Sequence, residues 1–140
     1  MALTTPIKTY RDSQRTPNVV LPPNACDSHV HVFGPAARFS YSENRNLTPV
    51  DAPKEKLFAL HKRLGIERCV IVHTALHGFD LRATEDAIAH GGGKYLGIAL
   101  VEPTVAQSEL RRLKTAGFRG VRFNFMKHLP SPLSADDLVK

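Results

Sequence analysis

His29 and His31, in the stretch Ala25-Cys26-Asp27-Ser28-His29-Val30-His31-Val32-Phe33, are the residues whose type and spacing bear most directly on chemistry. The surrounding apolar residues read as a buried strand. Strand side chains alternate between faces, so Asp27, His29 and His31 are expected on one face and Ser28, Val30 and Val32 on the other. Two imidazoles then converge on one spot. Such a pair suits a metal ion, which binds histidine nitrogen at about 2.0 to 2.1 Å, or two donors that polarise a carbonyl. The alternative is a pair of polar residues on the solvent face of an edge strand.

A second group lies late in the chain. In Gly120-Val121-Arg122-Phe123-Asn124-Phe125 the polar residues alternate with the apolar ones, which sends Arg122 and Asn124 to the opposite face. A guanidinium there can grip a carboxylate through two parallel charge-assisted bonds, or close an internal ion pair. His77 precedes a glycine in the loop Thr74-Ala75-Leu76-His77-Gly78-Phe79, and Lys127 and His128 lie in a further loop ending at Pro130. His73 reads as a strand end, in packing or as a donor to another group. His61 and His90 fall in helices and are expected at the surface or in capping positions. Cys26 and Cys69 sit in apolar runs and read as core thiols.

The elements that must position these groups alternate. Strands are expected at 25–33, 68–73, 95–101 and 120–125. The first helix opens near Asp51 and Pro53, with Leu57, Leu60 and Leu64 on one stripe and Gly65 as its stop. The second begins at Asp80 as N-cap and ends in Gly91-Gly92-Gly93. The third opens on Thr104-Val105-Ala106-Gln107, a capping-box pattern, with Ala106, Leu110 and Leu113 inward. Strands separated by helices argue for βαβ units and a parallel sheet. Ser134-Ala135-Asp136-Asp137 is another capping signature near the end of the chain. Two architectures compete: a doubly wound sheet, and about four β/α units forming the N-terminal half of a TIM-like (β/α)8 barrel. The helix begun near residue 134 favours the half barrel, since a closed barrel typically takes about 250 residues. Residues 1–21 then read as an N-terminal extension and 22–140 as the partial barrel.

Composition narrows the function classes. The 140 residues are 42% hydrophobic and 23% charged, with a formal net charge of +6. No apolar run approaches the roughly 20 residues of a membrane span, and the N-terminal segment has no apolar signal core, so a cytoplasmic protein is expected. Arg111, Arg112, Lys114, Arg119, Arg122 and Lys127 carry much of the charge without any nucleic-acid-binding pattern. An anionic small molecule accounts for that excess better than nucleic acid. The open edges of a half barrel also invite self-association.

Taken in order, Asp27-Ser28-His29-Val30-His31-Val32-Phe33-Gly34-Pro35, Leu57-Phe58-Ala59-Leu60, His77-Gly78 and Gly120-Val121-Arg122-Phe123-Asn124-Phe125 resemble the amidohydrolase-related family, in particular its lactonase branch. The resemblance implies a distorted (β/α)8 barrel and hydrolysis of a carboxylated lactone in aromatic-compound breakdown. It implies that His29 and His31 are catalytic, binding a divalent metal (zinc or manganese) in much of the family and polarising the scissile carbonyl without one in the lactonases. It places Tyr41, His77, Arg122, Lys127 and His128 around the substrate, with Arg122 on a carboxylate. His128 stands where the lactonases carry a second arginine. The catalytic base of the family is not among these residues, so the 140-residue chain alone is expected to be inactive. The competing reading is an incomplete fragment acting only as a binding or assembly module.

Overall fold

The computed structural model describes residues 5–13 and 15–124. Lys127, His128 and the capping signature at 134–137 lie outside the described residues. Strands β1 (Cys26–Val30), β2 (Arg68–Val72), β3 (Tyr95–Leu100) and β4 (Phe118–Arg122) alternate with helices α1 (Lys54–Leu64), α2 (Arg82–Ala89) and α3 (Gln107–Thr115). The strands form one parallel sheet in the order β1-β2-β3-β4.

That order decides between the two architectures. A doubly wound sheet reverses its strand order at a switch point, and its helices cover both faces. Here each strand is laid beside its predecessor without reversal. Right-handed crossovers then put every helix on one face and leave the other face to the site. This is the winding of the first four strands and three intervening helices of a TIM-like barrel.

Burial follows the same division. In β3, Tyr95, Gly97 and Ala99 are buried under the helices while Leu96 and Ile98 are only half-buried on the inner face. The helix-side core gathers Cys69, Ile71, Ala99 and Phe118 with Leu57, Ala83, Ala87, Ile88 and Leu113. Burying one such side chain as completely as Ile71 contributes about 1.5 to 3 kcal/mol. Gly97 allows the helix layer to approach: a Cβ there would lie 2.7 Å from Ile88 Cδ1. Gly65 ends α1 in the left-handed region at φ 73°, its N–H bonding to the His61 carbonyl.

Several local expectations are corrected. α3 starts at Gln107, because Thr104 is taken into a turn that the Val105 N–H closes on the Glu102 carbonyl at 3.1 Å. Leu113 is buried as expected, but Ala106 and Leu110 are exposed. Asp80 does receive a first-turn amide of α2, from Arg82 at 3.1 Å, although the helix begins later than expected. Cys69 is buried and its thiol is pushed up to about 12 by desolvation, whereas Cys26, on the edge strand, is exposed rather than core. Among the described N-terminal residues, the Ile7 N–H bonds to the Thr48 carbonyl and the Val50 N–H to the Ile7 carbonyl, both at 2.8 Å, and Lys56 Nζ lies 4.3 Å from the centre of the Tyr10 ring.

Candidate functional site

Both edge strands carry one more residue than their neighbour. β1 pairs Asp27 with Cys69 and then Val30 with Ile71; β4 pairs Phe118 with Gly97 and then Gly120 with Ile98. Each bulge resets the alternation. Asp27 therefore does not share a face with His29 and His31: its carboxylate turns to α1 and meets His61 Nε2 at 3.2 Å. Beyond the bulge Val30 packs on the helix-side core and the two histidine rings meet each other edge to face, centroids 5.2 Å apart. Phe118 likewise packs with the core, while Arg122 lies on the inner side.

The end of β2 brings these groups together. His31 Nδ1–H donates to the Val72 carbonyl at 2.6 Å, and the Arg122 guanidinium donates to the next carbonyl, that of His73, at 3.3 Å. Side chains from the two edge strands are thus tethered to adjacent backbone oxygens. Burial lowers the His31 pKa against the backbone bond, and the nearby His29 and Arg122 charges lower it further. His31 is neutral near pH 7, with its unprotonated Nε2 available. The His29 ring has no hydrogen-bond partner among the described residues. Arg122 donates to Asn124 Oδ1 at 2.5 Å, and no carboxylate pairs with it among the described residues. The internal ion pair weighed from sequence is not seen there.

Tyr41 and His77 form a second arrangement. Their rings stack at 4.6 Å, and Tyr41 OH donates to Asp51 Oδ1 at 2.8 Å. Desolvation, then Asp51, raises the phenol far above its ordinary pKa, so it stays a donor. His77 is 3% exposed. It accepts the Gly34 N–H at Nε2 (3.1 Å) and donates from Nδ1 to the Ser40 carbonyl (3.0 Å). Both ring nitrogens are therefore engaged in fastening the loop after β1 to the loop after β2. Asp51, read from sequence as a helix opener, instead accepts Tyr41 and the Ala36 N–H.

Under the sheet, sequence reasoning missed the burial of His61, while His73 is in packing and hydrogen bonding as expected. His61, expected at the surface, is 1% exposed and lies between Asp27 and the Tyr95 hydroxyl, the latter at 2.7 Å. The available signal was its four-residue spacing from Leu57 on the buried stripe of α1. His73 is fully buried between Thr84 Oγ1 (2.9 Å) and the Gly78 carbonyl (3.0 Å), and desolvation takes its pKa down to about 4. His90 caps α2 as expected, on the Asp86 carbonyl.

His29 and His31 also border a groove of about 640 Å³ beside β1, lined by Lys56, Leu60 and Arg63 of α1 and by Tyr10 and Arg11 of the N-terminal segment. No third His, Cys, Asp or Glu gathers with the two imidazoles among the described residues. A catalytic zinc site takes three protein ligands, so these residues do not complete one. Nor does any helix among the described residues have the length and apolarity to cross a membrane.

Comparison with known proteins gives one consistent result. The chain is 44% identical over 124 residues to the 2-pyrone-4,6-dicarboxylate hydrolase of Comamonas testosteroni, covering 89% of this chain and 41% of that protein. It is 50% identical over 105 residues to the 4-sulfomuconolactone hydrolase of Rhizobium radiobacter, covering 75% and 35%. The crystal structure of a probable 2-pyrone-4,6-dicarboxylic acid hydrolase from Acinetobacter baumannii, with citric acid bound, aligns at a TM-score of 0.72 and 27% identity over 83% of this chain and 43% of that one. The chain spans about two fifths of the length of these relatives. Residues 26–138 match the family described as Amidohydrolase. Since that match takes in every strand and helix from β1 to β4 together with both inner-face histidines, the chain belongs to the amidohydrolase family.

Proposed function

We infer that this chain supplies the first half of a lactone hydrolase site, for a carboxylated lactone such as 2-pyrone-4,6-dicarboxylate or 4-sulfomuconolactone. The observation that carries the reading is the tethering of His31 and Arg122 to the adjacent carbonyls of Val72 and His73. It holds on one face a neutral imidazole and a guanidinium without a carboxylate partner among the described residues, where a reacting carbonyl and an anionic group of the same small molecule can meet them.

In this reading Arg122 takes a substrate carboxylate, and Tyr41, steadied by the stacked His77 ring, borders the bound lactone. His29 donates to the carbonyl oxygen, stabilising the charge that develops as water adds. His31 accepts a hydrogen bond from that water at Nε2. Collapse of the tetrahedral intermediate breaks the ring C–O bond, leaving a carboxylic acid and a freed ring oxygen that takes up the proton lost by the water. The acceptor of the water proton is not supplied by the described residues, which gather no carboxylate with the two histidines. The small anionic substrates named for two relatives, and the citric acid bound to a third, support the anion assignment.

The test is ring opening of 2-pyrone-4,6-dicarboxylate and 4-sulfomuconolactone, followed by absorbance. The 140-residue chain is assayed alone and after reconstitution with the remaining β/α units of the Comamonas relative. No turnover alone, and turnover on reconstitution, is the expected result. A folded reconstituted barrel that leaves both lactones intact would favour the binding-module reading.

A further inference from the structure

The bulge in β1 sets which way His29 faces, and a side-chain relay that runs from the buried Tyr95 and His61 to the half-buried Asp27 is built onto it. Asp27 Oδ1 accepts the His29 backbone N–H at 3.1 Å, and Asp27 Oδ2 meets His61 Nε2 at 3.2 Å. His61 Nδ1 lies 2.7 Å from the Tyr95 hydroxyl, whose ring packs edge to face on Phe58 at 5.1 Å. One proton arrangement satisfies every group: the Tyr95 hydroxyl donates to Nδ1, Nε2–H donates to Asp27, and Asp27 accepts from the His29 amide. Desolvation raises the Tyr95 phenol to about 12, which keeps it a donor at neutral pH. The relay runs from β3 through α1 to β1, and it ends on the amide at the bulge, where the register shifts.

We propose that His61 and Tyr95 are positioning residues: acting through Asp27, they hold the β1 bulge closed and so fix His29 against His31. Neither touches the inner face. A strand without the bulge would keep Asp27 on the histidine face, so the helix-side carboxylate and the inner-face imidazole pair are two consequences of one backbone feature. His61 is the residue that couples them, since it is the only side chain in the relay held by both the sheet edge and the next strand but one. The inference rests on reading His29 and His31 as the reacting pair, and the readouts below separate the two.

The experiment is nuclear magnetic resonance of the labelled 140-residue chain, wild type against His61→Leu, His61→Gln and Tyr95→Phe. The readouts are hydrogen exchange at the His29 amide and the through-space contact between the His29 and His31 rings. In His61→Leu the His29 amide is expected to exchange on the order of tenfold faster, the scale of one lost hydrogen bond to a charged group, and the ring contact to vanish. The Ile71 and Gly97 amides, in the sheet interior, keep their protection. His61→Gln presents an amide N–H toward Asp27 and recovers most of the protection; Tyr95→Phe, which removes one oxygen, falls between. Should His61→Leu fail to fold, Tyr95→Phe carries the test on the same two readouts. Unchanged His29 exchange and ring contact in a folded variant overturns the proposal. So does a Gln variant no better than Leu with all sheet amides loosened equally, the mark of a packing role. Geometry that shifts as stated with undiminished turnover in the reconstituted barrel supports the positioning role and removes the catalytic reading of the pair.

Discussion

The two faces of the sheet treat histidine in opposite ways. Under the helices, His61 and His73 are buried to 1% or less and each ring nitrogen has a partner within the chain. On the inner face, His29 has no hydrogen-bond partner among the described residues, His31 has one engaged nitrogen and one open, and Arg122 has backbone and amide partners but no described carboxylate. No buried side-chain nitrogen or oxygen among the described residues lacks a partner. The difference separates two environments: the helix-side rings are closed by partners within the chain, whereas the inner-face groups keep hydrogen-bonding positions that solvent or a ligand can reach.

The largest effect that sharpens this contrast is on turnover. Replacing His31 by Ala in the reconstituted barrel should lower kcat by on the order of 10²-fold, the cost of losing the bond that orients the attacking water, while the melting temperature changes little. Activity loss that only tracks unfolding would place His31 with the structural histidines.

The helix-side histidines should instead speak through stability. His73 titrates near 6.5 when unfolded but near 4 when buried, so the unfolded chain binds a proton that the folded chain refuses. Its folded pKa is depressed. Stability is therefore full above about pH 6.5 and falls as pH drops toward 4, by on the order of 3 kcal/mol for this group. His31 and His77, also lowered by burial, add with the same sign. Urea melts across that window measure the slope, and a His73→Leu chain should show a flatter one at lower overall stability. An unchanged slope in that variant would contradict the assignment.

Tyr41 lies between the two categories, since its ring is stacked on His77 while its hydroxyl goes to Asp51. Tyr41→Phe should cost about 1 kcal/mol of stability, the net worth of one such hydrogen bond. Thermal denaturation reads this directly, and a cost near zero would mean that Asp51 finds water as good a partner.

What could be read from the sequence divides along the same line. The strand and helix alternation was legible because apolar periodicity, Gly65 and the Gly91-Gly92-Gly93 run are local signals. The His29 and His31 pair was legible because its spacing matches the strand repeat. The bulges in β1 and β4 were not, since an extra residue is visible only against the neighbouring strand, and so Asp27 was assigned to the wrong face. His61 was misplaced because its partners, Asp27 and Tyr95, are each 34 residues away in sequence. The pattern at Thr104 looked like a cap until a tertiary turn claimed it. The relation between Arg122 and His31 depends on two β2 carbonyls, and backbone acceptors leave no trace in residue types.

The proposed grip of Arg122 on a substrate carboxylate is tested most directly by one enzyme–substrate cycle. Wild-type and Arg122→Met chains, each reconstituted into a barrel, are assayed on 2-pyrone-4,6-dicarboxylate and on the corresponding lactone lacking one carboxylate. The variant is expected to lose on the order of 2 to 5 kcal/mol in kcat/KM on the dicarboxylate, the range for removing one partner of a buried charge pair. It should hydrolyse the lactone that lacks the Arg122-bound carboxylate about as well as wild type does. Equal losses on the dicarboxylate and on both possible monocarboxylates, or a loss explained by unfolding, would make Arg122 a structural residue and contradict the account.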